Sequence, residues 1–269
     1  MVSRTVIITG AASPLGRATA LRFTKTSDKL ILTDPDRGRG LAVKEEVLAK
    51  GGQATFISAD LHDALDVHNV MAEALDSYGS VDILAHCAMH YHDGPFLETS
   101  EAMFDDVVDR NLRSAFLINR AVARQIIKQA GKSDDGGVGK AIGSAIVNVV
   151  SDEAAQVNAD NAIFAATQGA VVQLTKAVAA ALSPCGARAN AVGVGGIKET
   201  LEEIRVKTAE QREASIARIP MARRGEPKEV ANAVHFLAAS EASFITGQVL
   251  YVDGGKLAMA GPLQASDSD

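Results

Sequence analysis

This chain has no tryptophan, and aromatic residues make up only 4% of its 269 positions. Cysteine is nearly as scarce. Cys87 and Cys185 do not amount to a disulfide framework, and no cysteine or histidine joins them at ligand spacing, so a zinc site is not expected. Positive charge is in deficit: 27 Lys and Arg against 33 Asp and Glu leave a net charge of −6. A general nucleic-acid partner would need the opposite balance. No apolar run approaches a membrane span, and the opening MVSRTVIITG lacks a signal-peptide pattern. A reducing cytoplasm, with neither nucleic acid nor membrane as partner, is the expected setting.

What is present is aliphatic and small. Apolar residues reach 47%, enough for a substantial core. Short β-branched runs recur at 5–9, 29–33, 53–58, 81–86, 144–150, 189–194 and 248–255. Helical patterns lie between them at 15–27, 36–50, 63–79, 100–130, 161–183, 198–217 and 226–239. Continuous apolar strands alternating with helices predict an α/β fold, a single doubly wound Rossmann-like domain with a parallel sheet of about seven strands and helices on both faces. That domain is expected over 1–260. The polar, Gly-rich stretch 131–143 reads as a mobile surface loop at the N-terminal edge of the sheet, and 261–269 as a disordered tail.

The first strand runs into TGAASPLGRATA (9–20). Gly10 suits the tight turn and Gly16 the close packing of helix on strand, the setting in which a pyrophosphate meets a helix N-terminus. Asp34 ends the second strand, where a carboxylate can accept hydrogen bonds from ribose hydroxyls and repel a 2′-phosphate. That favours NAD over NADP, a preference that Arg37 and Arg39 moderate.

With Ala59-Asp60, VDIL at 81–84, Asn111, IVNVVS at 146–151 and the long stretch 218–255, these motifs resemble the short-chain dehydrogenase/reductase family. The resemblance implies an NAD-type cofactor contacted by Gly10, Ser13, Leu15, Gly16, Asp34, Asp60, Leu61 and Ala88, with Asp60 at the adenine. It also implies a homotetramer. Three departures bear on that cofactor. Pro14 stands at the family's middle glycine and has no N–H to offer. The family's Asn-Asn-Ala-Gly reads His86-Cys87-Ala88-Met89, and its Pro-Gly reads Val194-Gly195.

The family works with Asn, Ser, Tyr and Lys. The Tyr is the acid/base, the Lys lowers its pKa and holds the nicotinamide ribose, the Ser polarises the substrate oxygen, and the Asn orders a water relay. Asn111 and Ser151 match. The register of AATQGAVVQLTKAVA (165–179) puts Phe164 at the Tyr and Gln168 at the Lys. Spaced four apart on one helix face, both are expected to line the reaction site. Neither can exchange a proton near neutral pH. Ser151 and Asn111 can equally be read as structural, and Asp34 as a turn former.

HCAMHYHDG (86–94) offers His86, His90, Tyr91 and His92 on the crevice side, yet reads more simply as a solvated loop. Asp152 and Glu153 read as solvated carboxylates, and Cys87 as buried and inert. Three readings result. One is a family member without the Tyr-Lys chemistry that binds NAD weakly. Another is an active NAD-dependent oxidoreductase with a substitute acid from the 86–92 loop. The third is a non-catalytic subunit of a mixed oligomer with an active relative, packed through the Ala-rich helix at 161–183. The substrate stays open, since 195–217 reads only as a charged helical lid.

Overall fold

The structure is a computed structural model and describes residues 3–132, 137–157, 159–200 and 208–258. Seven parallel strands form its sheet: β1 (Thr5–Thr9), β2 (Lys29–Asp34), β3 (Gln53–Ser58), β4 (Ile83–His86), β5 (Ala145–Ser151), β6 (Arg188–Val194) and β7 (Val249–Val252). Their order is β3-β2-β1-β4-β5-β6-β7. The connection reverses direction at β1, which pairs β2 on one side and β4 on the other. A crevice therefore opens at the C-terminal ends of β1 and β4.

The inner strands β1, β4, β5 and β6 and the middle of β2 are buried because both faces are covered, while the edge strands β3 and β7 stay partly exposed. Val6, Ile8, Leu30, Leu32 and Ile83 point to one face. There they meet Leu15, Ala20 and Phe23 of α1 (Pro14–Thr24), Val43 and Val47 of α2 (Arg37–Ala49), and Val230, Val234 and Leu237. Ile7, Ile31, Leu84 and Ile146, one residue out of phase, point to the other. They meet Val67, Val70 and Ala74 of α3 (Ala64–Tyr78), and Ile118, Val122 and Ile126.

The expected helix at 100–130 is not continuous. It divides into α4 (Glu101–Val108), a π turn over Asp109–Arg113 and α5 (Ser114–Ala130). A π turn inserts a residue without ending the helix, so the apolar periodicity passes through it. The expected helix at 198–217 also needs correction. Ile197 bridges Gly225 and Glu199 has a φ of 59°, so the chain is not helical there. Helix α7 is described over Ala209–Ala217, opened by a Thr208–Gln211 capping box, while 201–207 lie outside the described residues. Last comes α8 (Pro227–Ala238), which carries Val230, Val234 and Leu237.

The polar stretch at 131–143 has a closed neck, with Lys132 bridging Val138 and the Gly139 N–H bonded to the Gly131 carbonyl at 3.0 Å. Residues 133–136 and the expected tail lie outside the description.

Helix α6 (Ala162–Leu182) corrects the membrane expectation in part. Residues 162–185 are long and apolar enough, by length and composition, to cross a membrane. In the fold, Phe164, Gln168, Val171, Thr175, Val178 and Leu182 are buried in this domain. Its register is pinned by buried polar groups. Asn148 of β5 and Asn119 of α5 exchange amide hydrogen bonds at 2.9 and 3.0 Å, and Asn148 Nδ2 also donates to Thr175 Oγ1 at 3.0 Å. Buried amides demand satisfied partners, so this cluster fixes where residues 164 and 168 fall.

Candidate functional site

A cavity of about 580 Å³ lies at the C-terminal edge of the sheet, at the β1/β4 switch point. Its outer end is the glycine turn. Gly10 has a φ of 61°, and a Cβ there would come within 2.7 Å of the Ala88 backbone. Any side chain at 10 would push β1 and β4 apart, and only glycine adopts that φ at low cost. Gly16 packs against the Gly10 carbonyl too closely for a Cβ.

Ser13 is the N-cap of α1. Its Oγ accepts from the Gly16 N–H at 3.1 Å and donates to the Gly10 carbonyl at 2.7 Å. The Arg17 N–H bonds the Ser13 carbonyl and Pro14 has no N–H. In the first turn of α1 this leaves the Leu15 N–H as the donor that can meet a phosphate.

Asp34 lines the cavity at the end of β2. Its carboxylate accepts from the Ala12 N–H at 3.1 Å and the Asp36 N–H at 2.9 Å, so it ties the glycine turn to β2. Arg39 lines the cavity too, held by Asp36 at 2.7 Å. Asp60 and Leu61 complete this end, with Asp60 Oδ1 at 2.7 Å from His62 Nδ1. The residues present thus fit a dinucleotide at its adenosine half. They fit it less well at the pyrophosphate, where Pro14 replaces a donor.

At the middle of the cavity β4 ends at His86, which lies behind the wall, and Cys87 follows on the wall itself. His86 is fully buried, and desolvation pulls its pKa down to about 4; Thr9 Oγ1 lies 2.8 Å from its Nδ1. Burial pushes the Cys87 thiol up to about 12, which makes it a poor nucleophile. Ala88, Met89, His90 and Tyr91 line the wall. Loop 86–94 is therefore not simply solvated. His90 is held below its ordinary pKa by burial and then by the Arg110 guanidinium.

Asn111, Gly16 and Gln168 stand behind the cavity wall rather than on it. The Asn111 amide pairs with both backbone groups of His90, accepting at 2.8 Å and donating at 2.7 Å. Its position in the π turn aims it at this loop. Gln168 corrects the expectation that positions 164 and 168 share the reaction face. It is 2% exposed, and its Oε1 accepts the Ser151 N–H at 3.0 Å. Phe164, also 2% exposed, does line the cavity. Tyr91 packs edge-on against it, ring centroids 5.1 Å apart. An apolar ring therefore occupies the position expected for a phenol.

Ser151 lines the inner end, but its Oγ already caps a short helical turn by accepting the Glu153 N–H at 3.2 Å. Asp152, expected from the sequence to be solvated, is not. It is 3% exposed and paired with Lys256 Nζ at 2.9 Å. Gly195 makes room for it, since a Cβ there would overlap Asp152 Oδ2. Lys256, which sequence reasoning missed, lines the cavity from beyond β7. Gly254 and Gly255, with φ of 63° and 88°, turn the chain back, and Asp253 accepts the Gly255 and Leu257 N–H groups at 2.8 and 2.9 Å. The paired glycines after the last strand are the signal that marks such a return.

Comparison with known proteins agrees with this architecture. Residues 10–256 match the family model described as Enoyl-(Acyl carrier protein) reductase. The chain is 32% identical over 263 residues to an L-rhamnose 1-dehydrogenase (NAD(P)(+)) of Azotobacter vinelandii, covering 95% of this chain and 97% of that protein. It is 31% identical over 255 residues to a 3-oxoacyl-(acyl-carrier-protein) reductase of Staphylococcus aureus, covering 94% and 98%. Among solved structures it superposes on a short-chain dehydrogenase/reductase of the glucose/ribitol dehydrogenase type from Brucella melitensis with a TM-score of 0.83 at 30% identity, covering 94% of this chain and 96% of that one. With the seven-stranded sheet, the glycine turn and Asp34 in place, the chain belongs to the short-chain dehydrogenase/reductase family of oxidoreductases.

Proposed function

We propose that this protein keeps the family's nucleotide cleft but lacks its Tyr-Lys proton-transfer chemistry, binding NAD weakly and in preference to NADP. The observation that carries this reading is the pair at 164 and 168. A phenyl ring lines the cavity where a phenol is expected, and a neutral amide, turned onto the Ser151 backbone, replaces the lysine. A bound nicotinamide dinucleotide would supply hydride. The complementary proton then has no donor at 164, and no ammonium at 168 would bring a phenol into a useful pKa range. Leu15 N–H would meet the pyrophosphate, Asp34 the adenosine ribose and Asp60 the adenine, while Pro14 withholds one phosphate donor. A cytoplasmic homotetramer, or a mixed oligomer with an active relative, is part of the same proposal.

One observation favours a second reading, an active NAD-dependent oxidoreductase. Tyr91 brings a phenol to the cavity beside Phe164. Calorimetric titration with NADH and NADPH, paired with turnover assays on ketones and secondary alcohols, tests both. Weak NADH binding without turnover supports the first reading. Turnover that disappears in Tyr91→Phe supports the second and overturns the first.

A further inference from the structure

The inner end of the cavity holds a charge pair that no Tyr-Lys chemistry requires. Asp152 and Lys256 both line the cavity, with side chains 5% and 16% exposed, and lie 2.9 Å apart. Ser151 Oγ donates to the other carboxylate oxygen at 3.3 Å. A hydroxyl, a carboxylate and an ammonium thus face one compartment in sequence.

The surrounding charge narrows what can enter. Among the described residues, each Lys or Arg on the cavity wall already has its own carboxylate: Arg39 with Asp36 at 2.7 Å, Arg110 with Asp106 at 2.7 Å and Lys256 with Asp152 at 2.9 Å. Asp34 and Asp60 add further negative charge. An anionic ligand would find its attraction to each ammonium or guanidinium offset by the adjoining carboxylate. A purely apolar ligand would offer the Asp152–Lys256 pair no hydrogen bond and would close it off from any other partner. Hydroxyl groups both donate and accept and carry no charge, so adjacent hydroxyls can meet the carboxylate and the ammonium together.

Resting on the reading of this cavity as the family's ligand cleft, we propose that its inner end recognises a neutral, hydroxyl-rich small molecule through the Asp152–Lys256 pair. Lys256 is then a ligand-positioning residue supplied from the end of the domain. It lies beyond β7, on a different element from the α6 position where the family carries its lysine.

Calorimetry on the native protein, with and without excess NAD, measures affinity for ribitol, D-glucitol and L-rhamnose against gluconate and cyclohexanol. D-Glucitol and gluconate differ only in a terminal carboxylate. At least one neutral polyol is expected to bind roughly tenfold or more tightly than gluconate and cyclohexanol, and Lys256→Met to weaken that polyol by about tenfold or more, the worth of a hydrogen bond from a charged group to the ligand. Should Lys256→Met fail to fold by circular dichroism, Asp152→Asn/Lys256→Gln replaces the pair with neutral amides, and the native preference remains decisive. Gluconate binding as tightly as every polyol, no polyol binding to the native protein, or unchanged polyol affinity in folded Lys256→Met overturns the inference. The readout is affinity rather than turnover, so it is separate from the loss of proton transfer. NADH binding in the same instrument reports on the cleft itself.

Discussion

The Oε1 of Gln168 accepts the backbone N–H of Ser151 at 3.0 Å, tying α6 to the last residue of β5. A side chain at the position of a family catalytic lysine serves here as a buried backbone partner. Gln168→Ala leaves that N–H without its acceptor and opens a small void. A loss of about 1–3 kcal/mol in urea unfolding is expected. Unchanged stability would mean that the bond contributes little and that Gln168 has some other use.

Pro14 removes one N–H from the first turn of α1, leaving the Leu15 N–H to meet a phosphate. Pro14→Gly restores a donor at the same place. NADH should bind about threefold to tenfold more tightly by calorimetry, the equivalent of one modest hydrogen bond. Equal or weaker binding in a folded variant would show that the proline does not limit the pyrophosphate site.

Asn111 holds the His90 backbone with two hydrogen bonds from within a π turn. Asn111→Ala should therefore loosen loop 86–94 and lower stability by roughly 1–3 kcal/mol. Amide hydrogen exchange should show the increase concentrated at 88–92. An increase spread evenly over α4 and α5 would instead assign Asn111 to helix integrity.

His86 predicts a pH dependence with a definite sign. Burial holds its folded pKa at about 4, below the ordinary imidazole value of 6.5. Between those values the unfolded chain binds the extra proton and the folded chain does not. Stability is thus complete above about pH 6.5, declines as pH falls toward 4, and changes little further from this group below that. The decline is worth about 3 kcal/mol for a shift of this size. His235, also lowered to about 4 by burial and then by Arg22, adds a smaller part because it is only half buried. Urea midpoints measured from pH 7 to pH 4 should fall, and His86→Asn should flatten much of the slope. An unchanged slope in His86→Asn would place the titration elsewhere.

The sheet is readable because its inner strands are apolar runs with both faces covered, and the partly exposed edge strand β3 falls at 53–58 as its pattern indicates. The glycine turn and Asp34 were readable for a similar reason: their chemistry is local. What escaped depends on contacts between distant segments. The π turn carries no break in periodicity, so 100–130 looked like one helix. Asp152 looked solvated because its burial needs the missing Cβ of Gly195 and the ammonium of Lys256, both far along the chain. Gln168 looked like a cavity residue because helix spacing assigns a face but not where a flexible side chain ends. Phe164, with a ring fixed by few torsions, fell where the register put it.

If proton transfer is missing at 164 and 168 while the rest of the cleft remains, restoring both groups should restore the reaction. NADH-dependent reduction of a ketone panel by Phe164→Tyr/Gln168→Lys, compared with the native protein under saturating NADH, tests it directly. The double variant should gain about a hundredfold or more over the native rate, the usual worth of a positioned acid. A native protein that already turns over as fast as the double variant would contradict it.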